Sequence, residues 1–325
     1  MEKQNNFHGN LIVSTAPHIV TDADTTKLMG TVLLAMVPAL VASVYVFGMR
    51  ALLLSAVCIV ASVVFEWVYN LITKKQQTVG DLSAAVTGLL IAFNVPSSLP
   101  YWMAIIGCFF AIVIVKQLYG GLGKNFVNPA IAARIFLFIS FAGAMTNWPL
   151  HRMNATADAV TGPTPLGLLA GGNKADLPSN MEMFLGFIGG SMGEVSALAL
   201  LIGGLFLLWK KVITPAIPVS FIATVFVLAL IFNGGSLRMA IFHVCAGGVM
   251  IGAFFMATDY VTSPKLVSGQ IAFGIGCGFI TMVIRLFGAY PEGVSFAILL
   301  MNIITPLINR ATYKRYCGGG AKNEK

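Results

Sequence analysis

Ala51-Leu-Leu-Leu-Ser-Ala-Val-Cys-Ile-Val-Ala-Ser-Val-Val-Phe-Glu-Trp-Val-Tyr-Asn-Leu-Ile-Thr73 is an apolar run interrupted by one charged side chain, Glu66. An α-helix rises about 1.5 Å per residue, so some 20 apolar residues cross a hydrocarbon layer of roughly 30 Å. Such a run buried in lipid must be helical, because lipid offers no hydrogen-bond partner to backbone amides and a barrel strand would be shorter and alternating. Comparable segments occur at 29–48, 81–96, 101–118, 128–144, 194–209, 213–232, 238–257, 269–288 and 294–309. The sequence therefore predicts an all-α integral membrane protein of about ten transmembrane helices. The third, fifth and sixth segments are short enough to be half-helices or re-entrant.

Composition agrees. Hydrophobic residues make up 57% of 325 and charged residues 10%, and the mean hydropathy is +0.85. A soluble domain of this size could not hide so much apolar surface. Residues 1–28 are polar and contain no apolar core of a cleavable signal peptide. Cys58, Cys108, Cys245, Cys277 and Cys317 lack Cys-x-x-Cys spacing, and four lie in apolar runs, which points to small core residues rather than disulfides or metal ligands. No metal site is expected.

An even number of crossings puts both termini on one side. With the termini inside, 14 of the 20 Lys and Arg residues fall on the inner side, among them Lys74, Lys75, Lys116, Lys124, Lys210 and Lys211. Four fall outside (Arg50, Arg152, Lys174 and Arg238), while Arg134 and Arg285 lie within segments. This asymmetry selects cytoplasmic termini. The net charge of +8 is thus a topology signal, and nucleic acid is not an expected partner. The chain divides into a cytoplasmic segment 1–28, a first transmembrane half 29–144, an extracytoplasmic loop 145–193, a second half 194–309 and a cytoplasmic tail 310–325.

The long loop carries Asp158-Ala-Val-Thr161-Gly-Pro-Thr164-Pro-Leu-Gly. Gly162 and Pro163 favour a tight turn that presents the Thr164 hydroxyl outward, with Asp158 and Thr161 nearby to orient it. A bare Thr-Gly-Pro-Thr is otherwise an ordinary surface turn. A second glycine-rich turn, Gly120-Gly-Leu-Gly-Lys124-Asn125-Phe-Val-Asn128-Pro-Ala130, enters the fifth segment. Such turns bare backbone amides that can bind phosphate or polar ring edges. It lacks the Lys-Ser/Thr ending of a Walker motif, and Asn125 and Asn128 could equally be helix caps.

Ionisable groups within the membrane are costly, so each is a functional candidate. Asp81 opens the third segment in Gly-Asp-Leu-Ser and Glu194 the sixth in Gly-Glu-Val-Ser. Both are also suitable helix caps or first-turn acids. Their similar surroundings on opposite faces hint at two inverted five-helix halves, which would set half-helix ends near the midplane. Asp259 follows Met256-Ala-Thr at the inner end of the eighth segment. Asp81, Glu194 and Asp259 are the candidate ion path. Glu66 has Arg134, Arg285 or a neighbouring subunit as possible partners, and the lone His243 reads as a core residue.

The loop segment resembles the Asp-x-x-Ser/Thr-Gly-Ala-Thr signature at which the final Thr is esterified to the phosphate of FMN, with Pro163 standing where Ala is usual. That signature belongs to the family of the D subunit of the Rnf electron-transport complex and its relative, the B subunit of the Na+-translocating NADH:quinone reductase. The match extends in order from Leu11–His18 through the Asp81 block, the Asn125–Pro129 loop, the Gly-Glu-Val-Ser block and Met256–Asp259. The total length, without a large soluble N-terminal extension, fits the Rnf branch. The resemblance implies covalent FMN on Thr164, supported by Asp158, Thr161 and Gly162. It also implies a noncovalent riboflavin near Gly120, Gly121, Asn125 and Asn128. A flavin transferase for maturation and the other subunits of a bacterial membrane complex are implied as partners, together with electron transfer between ferredoxin and NAD+ coupled to Na+ or H+ movement. Broken helices, an inverted repeat and buried acids also describe a secondary transporter or channel, which would have no use for Thr164; a purely structural anchor leaves the acids unexplained.

The charge asymmetry makes a direct prediction. A cysteine introduced at Asn173 should react with a membrane-impermeant thiol reagent in intact cells, whereas one at Lys75 should react only after lysis; the opposite pattern overturns the orientation.

Overall fold

The structure, a computed structural model, describes residues 24–149, 162–172, 177–186, 188–288, 290 and 292–316. Its regular elements are helices, with no strand among the described residues. Thr25–Phe47 (α1) and Met49–Ile72 (α2) meet at Gly48, which takes φ +76°. Ser83–Phe93 (α3), Tyr101–Gln117 (α4), Pro129–Ser140 (α5) and the single turn Ala142–Met145 (α6) follow. Two short helices, Pro165–Ala170 (α7) and Asn180–Leu185 (α8), lie in the long loop. Ala197–Trp209 (α9), Ala216–Phe232 (α10), Leu237–Cys245 (α11), Val249–Met256 (α12), Val267–Phe287 (α13) and Val294–Tyr316 (α14) complete the chain.

Among the described residues, α1, α2, α13 and α14 are long and apolar enough to cross a membrane, and α11 with α12 makes a fifth if that bent pair is one span. The ten expected segments each contain a helix, but ten crossings are not seen. The helices α3, α4, α5, α9 and α10 have 10–17 residues. Side-chain caps fix where two of them begin. Asn128 caps α5, accepting from the amides of Ala130 at 3.0 Å and Ile131 at 3.4 Å, with Pro129 in the first turn. Ser196 caps α9 by accepting from the Ala199 amide at 3.2 Å. Glu194, expected to open that helix, stands ahead of the cap instead.

The eighth predicted segment, 238–257, is not continuous. It breaks at Ala246–Gly248, where the axis turns by 63° and Gly247 adopts φ +64°. The carbonyls freed at this break would be costly in lipid. Arg285, from α13, donates to His243 O at 2.5 Å and to Ala246 O at 2.8 Å.

The short helices lie inside. Every residue of α3 is buried, and a Cβ on Gly88 would meet Cys58 O of α2 at 2.6 Å, so only glycine permits this approach. The end of α3 is joined to the entry of α9 by backbone bonds from Gly193 N to Phe93 O at 2.8 Å and from Met192 N to Val95 O at 3.2 Å. Outward faces carry large apolar side chains such as Leu34, Val41, Ile72, Phe279, Phe287 and Leu307. Exposed apolar surface on this scale suits lipid rather than water.

Two sequence expectations about charge change here. Lys116, counted among the inner-loop cations, is buried in α4, and Glu66 pairs with it rather than with Arg134 or Arg285. The ammonium lies 3.1 and 3.0 Å from the two Glu66 oxygens and 2.6 Å from Ser83 Oγ. Gln117 donates to Glu66 Oε1 at 2.9 Å and Thr78 does so at 2.8 Å. Consecutive residues reach one carboxylate because Phe110–Gln117 is wound as a π-helix, whose wider turn departs from α-helical spacing.

Breaking one partner of a buried ion pair strands the other charge and costs about 3–5 kcal/mol, whereas removing both costs less. Lys116→Met should therefore lower thermal stability in detergent strongly, and adding Glu66→Gln should recover most of the loss. Additive losses would show that the two groups do not compensate one another.

Candidate functional site

Two cavities collect the residues singled out by sequence. The first surrounds Thr164. This residue is the N-cap of α7: its Oγ1 accepts from the Gly167 amide at 3.1 Å, and Pro165 occupies the first turn. Gly162 N donates to Trp148 O at 3.1 Å, tying the loop back to the segment after α6. The expected outward hydroxyl is not observed. Thr164 is 7% exposed and faces a cavity of about 230 Å³ lined with Arg134, Trp148, Tyr290, Glu292 and Phe296. Capping rotates Oγ1 toward the protein, and Gly167 leaves room for it, since a Cβ there would lie 3.3 Å from that oxygen. Asp158 and Thr161, the other expected supports, lie outside the described residues.

The walls of this cavity are aromatic. Phe138 stands edge-on to Tyr290 at 4.9 Å and to Phe296 at 6.3 Å between ring centroids. A hydroxyl at the cavity wall, flat apolar walls and a cation are what a phosphate-linked planar ring requires, so the residues present fit such a group beside Thr164.

Arg134 forms the polar floor. From α5, its Nη1 donates to Asn94 Oδ1 at 3.0 Å and to Glu194 Oε1 at 3.3 Å, while Nη2 donates to Glu292 Oε2 at 2.5 Å. One planar fork thus joins the end of α3, the approach to α9 and the approach to α14. Burial, then the like charge of Glu194, pushes the Glu292 carboxyl up to about 7. Glu194 therefore belongs beside the Thr164 cavity, apart from the other two candidate ion-path acids. Sequence reasoning missed Glu292. Its signal was an acid in Pro-Glu-Gly, immediately ahead of the apolar run 294–309.

The second cavity, of about 100 Å³, brings together Ser83, Lys116, Asn125, Asn128, Thr258 and Asp259. Asp81 reaches it indirectly: Oδ1 accepts from Ser83 N at 2.8 Å and from Ser83 Oγ at 2.5 Å, and Ser83 Oγ also accepts from Lys116. Asp81 thus satisfies a first-turn amide, as a capping acid would. Thr262 Oγ1 donates to Asp259 Oδ2 at 3.0 Å. Burial moves the Asp259 carboxyl above its usual range, partly offset by hydrogen bonds from Thr262, the Val261 backbone and Asn125.

The glycine loop is less open than expected. Gly120 and Gly121, at φ +116° and +91°, donate their amides to Gln117 O at 3.1 Å and Lys116 O at 3.0 Å, closing the end of α4. Asn125 Nδ2 donates to Val127 O at 3.0 Å, and Asn128 Nδ2 to Met256 O at 3.1 Å. Their side chains border the cavity while already serving the protein frame. His243 is buried on α11 beside Phe242, in keeping with a core role.

The model of the NQR2, RnfD, RnfE family matches residues 12–318. The D subunit of the Na(+)-translocating ferredoxin:NAD(+) oxidoreductase complex of Acetobacterium woodii is 50% identical over 311 residues, covering 95% of this chain and 96% of the relative. The D subunit of the proton-translocating ferredoxin:NAD(+) oxidoreductase complex of Clostridium ljungdahlii is 44% identical, covering 92% and 94%. The D subunit of an ion-translocating oxidoreductase complex of Aliivibrio salmonicida is 35% identical, covering 94% and 98%. With nearly its whole length matched and half its residues identical to one such subunit, the chain belongs to the NQR2, RnfD, RnfE family.

Proposed function

We propose that this chain is the D subunit of an ion-translocating ferredoxin:NAD+ oxidoreductase, working with the other subunits of that complex in a bacterial cell membrane. Both termini are cytoplasmic in this reading, and its ten helical segments form two inverted halves with several half-helices. The subunit holds flavin at defined depth so that electrons cross the bilayer. FMN is joined through its phosphate to Thr164, and a flavin transferase installs it. The redox chemistry is the flavin's own, and the protein supplies position and electrostatics. The observation that carries this reading is the Thr164 hydroxyl buried against an aromatic cavity with Arg134 at its floor. A surface turn would leave that hydroxyl in water.

A riboflavin beside Gly120, Gly121, Asn125 and Asn128 is the second carrier in this proposal. The cation route uses Asp81 and Asp259 at that cavity and Glu194 at the other. The relatives do not agree on the ion, since one name specifies Na+ and another protons.

Mass spectrometry of the peptide spanning 153–174, from chain co-expressed with the transferase, should show one FMN-sized adduct that disappears in Thr164→Ala. Flavin still attached after that substitution would move the linkage elsewhere. A denatured chain without flavin fluorescence would favour a transporter.

Asn128→Ala should lower noncovalent flavin while sparing the Thr164 adduct. It should also cost roughly 1 kcal/mol of stability through the lost cap. Unchanged extractable flavin would leave Asn128 a capping residue alone.

A further inference from the structure

Arg134, Arg285, Glu194 and Glu292 meet where the broken α11–α12 helix, the end of α3 and the entries to α9 and α14 converge. Arg134 binds both carboxylates, and among the described residues Arg285 binds the backbone carbonyls His243 O and Ala246 O. With two cations and two anions, the group is neutral when both acids are ionised. It has little room for an added charge, because a buried net charge is costly in this environment. Yet it forms the floor of the Thr164 cavity, where Arg134 and Glu292 both contribute to the lining.

The three members of the fork differ in access to water. The side chains of Arg134 and Glu194 are 8% and 5% exposed, whereas that of Glu292 is 17% exposed. Arg134 cannot release a proton in practice. Glu194 is enclosed near Gly248, where a Cβ would come within 2.8 Å of its Oε1. Of the three, Glu292 combines a place on the cavity wall, a bond to the shared guanidinium and the greatest exposure.

We propose that Glu292 is a proton acceptor that balances charge at the Thr164 site, taking up one proton when a single electron arrives there. This rests on the reading of Thr164 as the flavin attachment point. The electron comes from the ferredoxin side of the complex, and the proton comes from water and forms an O–H bond on the Glu292 carboxylate. When the electron passes to the next carrier, that bond breaks and the proton returns to water, so charge balances in both directions. Protonation also weakens the Arg134–Glu292 pair and leaves the guanidinium to face the added negative charge. The groups facing Glu292 are Arg134 from α5, Glu194 ahead of α9, Arg285 from α13, Tyr290 and Ser295 beside α14, and Thr164. Because the resting carboxyl titrates near 7 and nearby negative charge moves it higher, uptake accompanies reduction above about pH 7. At lower pH the proton is already present in both states.

The test is a redox titration of the full flavinylated chain in detergent between pH 6 and 9, with adduct content measured on the same samples. Ring protonation adds a slope of its own, so every variant is compared with the unmodified sequence over the same pH range. Above pH 7, Glu292→Gln should lose slope relative to the unmodified sequence, by up to the tenfold-per-pH-unit change that corresponds to about 59 mV per electron. Glu292→Asp should retain the slope, which separates titration from packing. Arg134→Met should lower the midpoint potential, and Arg134→Lys should recover part of it. An intact Thr164 adduct with the same slope in Glu292→Gln overturns this inference alone. No adduct on Thr164 in the unmodified chain overturns the attachment reading and this inference with it.

Discussion

The guanidinium of Arg134 is the contact on which the arrangement turns. Arg134 is 7% exposed, so nearly all of its hydrogen bonds must be met by the protein. Meeting them brings together Asn94 at the end of α3, Glu194 ahead of α9 and Glu292 ahead of α14. These residues come from both halves of the chain, separated by as many as 158 positions from Arg134. A planar fork accepts few geometries, so the elements it joins are held in register as well as together. The cavity at Thr164 is lined by Arg134 and Glu292 of that fork.

The same requirement explains the other irregularities. Arg285 supplies donors where α11 breaks from α12. The π-turn of α4 lets Lys116 and Gln117 converge on Glu66. Asn128 caps α5 with its oxygen and binds Met256 O, at the end of α12, with its amide nitrogen. In each case a departure from regular helix exposes backbone or charge, and a side chain from another element meets it. Departures of this kind are tolerated at membrane depth only where protein surrounds them. They gather around the two cavities, where ligands would need the same polar groups.

The two cavities differ in character. That at Thr164 has aromatic walls and a charged floor, suited to a planar ring with an anionic tether. That at Asn128 is smaller and richer in oxygen, with Asp259, Thr258 and Ser83 at its edge.

Much of this could be read from sequence. Apolar runs longer than 18 residues dictate membrane helices because backbone amides have no other partner in lipid, and α1, α2, α13 and α14 follow from that alone. Asn-Pro ahead of α5 foretold its cap, and the short third, fifth and sixth segments are short in the structure as well. Apolarity, however, measures the avoidance of water and is blind to direction. It could not show that 238–257 breaks, that Lys116 turns inward or that the Thr164 hydroxyl is buried. Nor could it find Glu292, whose importance comes from a guanidinium 158 residues away. Segment identity is local, because each residue's solvation depends on its own side chain. The pairing of buried charges depends on which helices pack together, and only the tertiary structure decides that.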